Sequence, residues 1–447
     1  MNGSARDLRM LWLWFCLLQI WSGLILYMWP ADGRLRSALL LAGLLLLWPL
    51  RQAAPRWFAW PAGGRTPRLV LVLLALGVLM DVGYSSYTTM RIFKSLHIPI
   101  DQGQATWRAV RVLWQGENPY GPGTMIDFSA YGTRTPQRAG TPLETKLPPD
   151  QIRAVEERYD KTLDPALRQE LLPMPDPLPA NLSYEARLAG YKYGPVILMV
   201  TALLEPLHHP AVVVLLNIAL TAALFVVLGF AIRREADGDR TLTLLGIASV
   251  LLERAITHAY ASHTTTDVWA LVPMGLAILA HQRRMTVLPA VLLAVATGAK
   301  VFPSLILAPL LLRRRPVLGI AVFVVALAAI ELPWFAIDPK GFTANAVFWA
   351  LIMAPDGTSW VSYAPPAVAL VIRLGLFAAI GFFWWRYVVG RETRIYWTLA
   401  ITSTLLVLAG GGFHNNYLPW ATVWTQVAIV EACTAARRRN DAAALAA

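Results

Sequence analysis

Roughly a dozen apolar runs follow one another along this 447-residue chain, most of them close to the ~20 residues an α-helix needs to cross a bilayer. Inside hydrocarbon every backbone N–H and C=O must be satisfied within its own segment, so runs of that length restrict the chain to membrane-spanning helices. The composition agrees, at 56% hydrophobic and 15% charged, because no soluble core consumes so much apolar side chain. The first run, Met10 to Met28, leads into Pro30 and a second apolar run rather than a small-residue cleavage site, and reads as a retained helix. Cys16 and Cys433 stand far apart in apolar segments and indicate neither a disulfide framework nor a zinc site.

Net charge +12 in a soluble protein would point to nucleic acid. Here the basic residues sit in short clusters between apolar runs, where they orient helices, and no nucleic-acid partner is expected. The clusters are Arg51 to Arg68, Arg233 to Arg240, Arg283 with Arg284, Arg313 to Arg315, Arg386 to Arg394, and Arg437 to Arg439. Placing all of them in the cytoplasm leaves one consistent path. Its spans lie near 10–29, 37–50, 69–88, 211–231, 241–259, 265–281, 286–299, 301–312, 317–335, 366–385, 395–411 and 416–434, with both termini inside. Tyr193 to Pro206 is apolar too, but a crossing there would move the later arginines outside, so it reads as a re-entrant or juxtamembrane helix on the outer face. The expected fold is an all-α polytopic membrane protein of about 12 transmembrane helices plus that re-entrant element. Its parts are an N-terminal helix pair with its cytoplasmic loop (1–68), a membrane domain (69–434) and a cytoplasmic tail (435–447).

The membrane domain includes a long outer loop, 91–190, holding 12 of the 31 prolines and equal numbers of basic and acidic residues, 12 of each. Asp101 stands at the head of an amphipathic stretch running to Gln115. It carries Trp107, Val110 and Trp114 on one face and Arg108 and Arg111 on the other, a pattern for a helix lying in the interface. A second, charge-rich helix is expected over 150–172, with the rest of the loop irregular.

Five polar constellations fall on this same outer side. They are Asp101 with Gln115-Gly116-Glu117-Asn118-Pro119-Tyr120, Tyr191-Lys192-Tyr193-Gly194-Pro195, and His263-Thr264-Thr265-Thr266-Asp267 preceded by Glu253, Arg254 and His258. Gly298-Ala299-Lys300-Val301-Phe302-Pro303 and Gly412-Phe413-His414-Asn415-Asn416-Tyr417-Leu418-Pro419-Trp420 complete the set. Each has an ordinary explanation: a helix cap, a turn, a snorkelling lysine, a mutually neutralised pair. Their convergence on one face is what calls for a site, because ionisable residues at membrane depth are costly and usually functional. Asp81 and Arg373 add two charges in apolar segments near that face.

The order of these motifs resembles glycosyltransferase family 87. It shows an aspartate (Asp101) ahead of Gly116-x-Asn118-Pro119-Tyr120, then Tyr191-x-Tyr193-x-Pro195 and His263-x-x-x-Asp267. Lys300-x-x-Pro303 follows before the triple arginine, and His414-x-x-Tyr417 before Pro419-Trp420. The resemblance spans residues 69–434 and rests on order and topology, since each motif is short. It implies the C-type fold of polytopic transferases that use polyprenyl-phosphate sugars, a family that includes cell-envelope mannosyltransferases. Two additional N-terminal helices and a longer first outer loop distinguish this chain from the common pattern, and both bear on the acceptor.

Transfer from a lipid phosphate requires a carboxylate to take the acceptor's proton and cations to stabilise the departing phosphate. The family's logic puts the base in the first large outer loop, making Asp101 the first candidate and Asp81 the second. Lys300 is the main candidate for the donor phosphate, with Arg254, Lys192 and Arg373 assisting. His263, Asp267 and His414 are candidates to position the acceptor, the aromatics Tyr120, Tyr193, Tyr417 and Trp420 suit a sugar or prenyl groove, and Asn118 and Asn415 are further candidates to bind substrate. A divalent cation such as Mg or Mn is conceivable at His263 and Asp267 on a shared helical face, but two ligands do not make a site, so no metal residues are assigned. The implied partners are the lipid-linked sugar donor, a lipid or glycan acceptor and the membrane lipids, and the implied location is the bacterial inner membrane with the site facing outward. A secondary transporter and a non-catalytic flippase or scaffold remain alternatives. The first should show an internal repeat, and none is evident.

Overall fold

The structure, a computed structural model, describes residues 21, 34–45, 68–95, 101–121, 190–204, 209, 211–262, 264–301, 304, 306–347, 359–410 and 417–446. The described residues form helices and no strand. We number the main ones α1 (Arg68–Ser95), α2 (Asp101–Trp114), α3 (Pro195–Ala202), α4 (Ala211–Glu235), α5 (Arg240–Leu251), α6 (Val268–Gln282), α7 (Val287–Ala299), α8 (Pro316–Ile337), α9 (Pro366–Val388), α10 (Ile395–Ala409) and α11 (Leu418–Ala446). Of these, α4, α8 and α9 are long and apolar enough to cross a membrane, and α5, α6, α7 and α10 are shorter apolar helices. The described residues are those of an all-helical membrane protein.

Local chemistry sets the helix starts. Asp239 accepts hydrogen bonds from the N–H groups of Thr241 and Leu242 and so caps α5. Pro316 and Pro366 open α8 and α9, where a missing N–H costs nothing. The helices then divide by what surrounds them. In α8 Gly319 alone is fully buried: one stripe that includes Val322, Phe323 and Trp334 packs on the core, and the other apolar side chains face outward, as on a helix at the hydrocarbon edge of a bundle. Helices α6 and α10 are buried along nearly their whole length and form the interior with α7 and α11.

Hydrogen bonds at the helix ends show the chain passing back and forth between two ends of the bundle. At one end the arginine clusters meet: Arg234 bonds the Gln282 carbonyl, Arg438 pairs with Asp237, and Arg313 lies over the Tyr387 ring. At the other, the head of α2, the loop before α6, the end of α7 and the start of α11 converge.

Four expectations change. The 241–259 span is interrupted: α5 ends at Leu251, a break passes through Glu253, and a π-helix covers Thr257–Ser262. The 301–312 span is no continuous helix, because turns at 306–308 precede a single helical turn, Pro309–Leu312. Asp81 sits in the middle of α1, which continues to Ser95, so it is roughly 20 Å from that end at 1.5 Å per residue. And α2 packs against protein as well as facing outward: Trp107 and Val110 are buried, while Trp114 is more than half exposed and donates to the Ala202 carbonyl. The spans near 10–29 and 37–50, apart from a helical stretch at 34–45, and the loop from 122 to 189 with its second helix lie outside the described residues.

Candidate functional site

The site is built around Asp267. Its side chain is fully buried just before the first turn of α6, and one carboxylate oxygen, Oδ1, receives both Lys300 Nζ at 2.5 Å and Trp420 Nε1 at 2.8 Å. Lys300 terminates α7 in an extended conformation, which turns its side chain away from the helix axis, and its ammonium also lies 5.0 Å from the centre of the Tyr417 ring. Three of the five sequence constellations therefore meet at one carboxylate. The pair is asymmetric: Lys300 keeps 15% of its side chain accessible and Asp267 none, so the cation is the charge an incoming ligand can reach.

The loop holding Asp267 is itself constrained. Thr264 has φ +55°, a left-handed conformation that a β-branched residue adopts at a cost on the order of 1–3 kcal/mol, and such strain gathers at functional sites. Its neighbour Thr265 bonds the Ala259 carbonyl through both its N–H and its hydroxyl, which ties the loop to the π-helix. Thr266 donates its N–H and its hydroxyl to Gln102 Oε1, at 2.8 and 3.1 Å. That contact brings the head of α2 to the site: Asp101 and Asp267 each stand one residue from the same hydrogen-bonded pair. The 264–267 segment is not helical, so a His263–Asp267 pair on one helical face does not form; His263, His414 and Asn415 lie outside the described residues, as do the side chains of Asp81, Asp101 and Arg254. Among the described residues there is no group of three His, Cys, Asp or Glu side chains able to hold a metal.

A second cluster buttresses the first. Tyr120 is fully buried and donates its hydroxyl to the Tyr193 carbonyl, with the rings of Tyr191, Trp334 and Phe342 packed around it at 5.0–5.7 Å. Burial, reinforced by nearby Tyr191 and Glu331, pushes the Tyr120 hydroxyl well above the ordinary tyrosine range. Burial raises Tyr191 as well, against a small opposing effect of its hydrogen bond with Thr106. Tyr120 and Tyr193, expected to line a sugar or prenyl groove, are instead interior residues. Asn118 is also structural: its Oδ1 accepts from the Tyr120 N–H and its Nδ2 reaches Asp338 at 3.4 Å. This cluster docks directly on the end of α7, where Gly194 N–H donates to the Ala299 carbonyl. A Cβ on Gly194 would stand 2.0 Å from the Gly298 carbonyl oxygen, so the glycine is required by contact between two backbones. Half-buried Lys192 lies in this docking segment.

Arg373, expected to assist at the donor phosphate, is anchored at the end of α10. Its Nε donates to the Ala409 carbonyl, while Trp360 and Ser359 donate to Leu408 and Gly410, so together they satisfy the last carbonyls of α10. Glu253, fully buried at the break after α5, accepts from Gln426 on α11 and from the Ala255 N–H. Gln426 lies six residues past Trp420, so the polar interior extends roughly 9 Å deeper than Asp267.

Three participants escaped the sequence reading. Gln102 was hidden beside Asp101. Asn345 bonds the Tyr120 and Gly341 carbonyls and receives the Gly190 N–H, and Asp338 caps the short Pro339–Phe342 helix by accepting from Gly341 N–H. The Asp338-Pro339 pair is a recognisable cap followed by an N1 proline, but nothing local connects it with residue 118. No protein-family model, no curated protein and no solved structure matches the chain.

Proposed function

We propose that the protein is a membrane glycosyltransferase of the C-type architecture, with about 12 crossings, that moves mannose or a similar sugar from a polyprenyl-phosphate donor to a lipid or cell-envelope glycan acceptor. The bacterial inner membrane is its place, with the Asp267 end facing the periplasm or exterior. The observation that carries this reading is the convergence of Lys300, Asp267, Trp420, Tyr417 and the head of α2 at one end of the bundle, with the lysine as the reachable charge. A buried carboxylate that fixes a cation at headgroup depth suits an anionic lipid phosphate better than a neutral or cationic ligand. In this scheme Asp267 and Trp420 position Lys300, Lys300 holds the donor phosphate, and Asp101, one residue from the Gln102–Thr266 contact, accepts the proton of the acceptor hydroxyl.

Transfer from radiolabelled polyprenyl-phosphate mannose, measured in proteoliposomes, tests the proposal. General-base catalysis is worth on the order of 10²–10⁴-fold, so Asp101→Asn should lower transfer by that range while donor binding persists. Lys300→Ala should weaken donor binding, and Lys300→Arg restore it in part, because a planar fork does not replace a point charge. Asp81→Asn, mid-helix, should do less than Asp101→Asn. If wild-type protein consumes no donor, the enzyme reading fails. Sidedness is checked separately, by a cysteine at Lys340 labelling from outside and one at Asp237 not.

One feature favours a second reading. Two interrupted helices, broken at Glu253 and after Ala299, resemble the discontinuous helices around which secondary transporters build their sites. Solute flux into proteoliposomes without sugar transfer would select it.

A further inference from the structure

We propose that the arginine end carries a binding site for an anionic phospholipid, in the groove between the α6–α7 turn and the start of α8. The groove has a volume of about 850 Å³ and is lined by Arg284, Arg314 and Arg315 on its polar side. Its other wall is made by Val287, Leu288 and Val291 of α7 and Leu318 of α8, all exposed. Phosphate-binding groups thus sit directly above a surface fit for an acyl chain. A soluble anion would have no use for that apolar wall.

The charges in the groove are unlike most others at this end. Arg234, Arg313, Arg394 and Arg438 are engaged by a carbonyl, a ring or a carboxylate. Arg284, Arg314 and Arg315 are exposed, and no carboxylate among the described residues pairs with them. Arg233, Arg240 and Arg283 are exposed as well, but the groove is what the other three share. Helices α7 and α8 also begin here, so their partial positive ends face the same space.

Arg284 adds an independent sign. The end of α6 is a Schellman turn: Met285 N–H bonds the Ala280 carbonyl, Arg284 N–H bonds the His281 carbonyl, and Arg284 stands at the left-handed position with φ +65°. Glycine fits that position without strain. An arginine there gives the fold nothing that glycine would not give better, and its guanidinium lines the groove. Basic pockets between helices at the cytoplasmic surface are suited to anionic headgroups.

The test is native mass spectrometry of the full-length protein in detergent, with dioleoyl phosphatidylglycerol and dioleoyl phosphatidylcholine as competing probes. Three surface arginines correspond to a preference on the order of 10²-fold for the anionic lipid. Combined Arg284→Gly, Arg314→Gln and Arg315→Gln should bring the ratio near unity. Arg284→Gly alone should lower phosphatidylglycerol retention while leaving the unfolding temperature unchanged or higher, because it relieves the left-handed strain; this variant separates ligand loss from misfolding. Equal retention of both lipids by wild type overturns the proposal, and so does an equal loss from Arg233→Gln with Arg240→Gln, which would reduce the effect to diffuse charge. Displacement of the lipid by millimolar inorganic phosphate, or stronger retention of a polyprenyl phosphate, would likewise rule out a phospholipid as the occupant.

Discussion

The two ends of this helical bundle use charge in opposite ways. Around Asp267 the charges are buried, share hydrogen bonds and sit on irregular backbone: a π-helix, a left-handed threonine and an extended helix terminus. At the arginine end Arg394 and Glu392 form a local, mostly buried pair, but the contact between distant segments, Arg438 with Asp237, lies in the open, with side chains 67% and 57% exposed. A charge in water can be moved or lost at little cost, whereas a buried one must keep its partner. The first arrangement specifies a geometry, and the second specifies an orientation in the membrane.

Substitutions should expose that contrast, beginning with the largest effect. Asp267→Asn leaves the Lys300 ammonium without its buried counter-charge and should destabilise the protein by about 3–5 kcal/mol in thermal unfolding. Adding Lys300→Met should recover more than half of the loss, and failure to recover any would mean the pair is not coupled. Trp420→Phe keeps an aromatic ring but a smaller one, and it removes a donor to a charged acceptor worth about 1.5–3 kcal/mol, to which the lost packing of a buried indole adds. Gly194→Ala forces a methyl group against the Gly298 carbonyl and should cost about 1–3 kcal/mol through separation of the α3 and α7 segments. A cost near zero would show that this docking is loose. Asp237→Asn, at the arginine end, should change stability by less than about 1 kcal/mol, and less again in high salt. A penalty as large as that of Asp267→Asn would falsify the contrast.

Most of the architecture was legible because it follows from composition and period. Apolar runs gave α4, α8, α9 and α10 nearly to their ends, and arginine clusters marked the end of the bundle at which they meet. Asp101 was expected to open a helix ending at Gln115, and α2 runs from Asp101 to Trp114. What went wrong shares one cause. Hydropathy does not register a break, so the interruptions at Glu253 and after Lys300 look like continuous spans or plain turns in the sequence. Burial of Tyr120 and Tyr193 is illegible for a related reason: an aromatic ring at an interface and one in an interior cluster have the same sequence signature.

Within the candidate site, Lys300, Asp267 and Tyr417 were each singled out, but with separate tasks. Their association, with Trp420 as second donor to the same oxygen, joins positions 33 and 153 residues from Asp267. Gln102 reaches Thr266 across 164 residues, and no local pattern distinguishes it from a polar residue facing solvent.

The sequence by itself determined that this chain is helical, that it lives in a membrane and which polar motifs stand out against an apolar background, because those properties depend on residue type and spacing along a few turns. The tertiary structure alone decided that Asp267 faces Lys300, that Arg373 satisfies the end of α10 and that Arg284, Arg314 and Arg315 share a groove. Those are relations between helices, and they are fixed by packing and by the need of each buried charge for a partner, which is a property of neighbours in space.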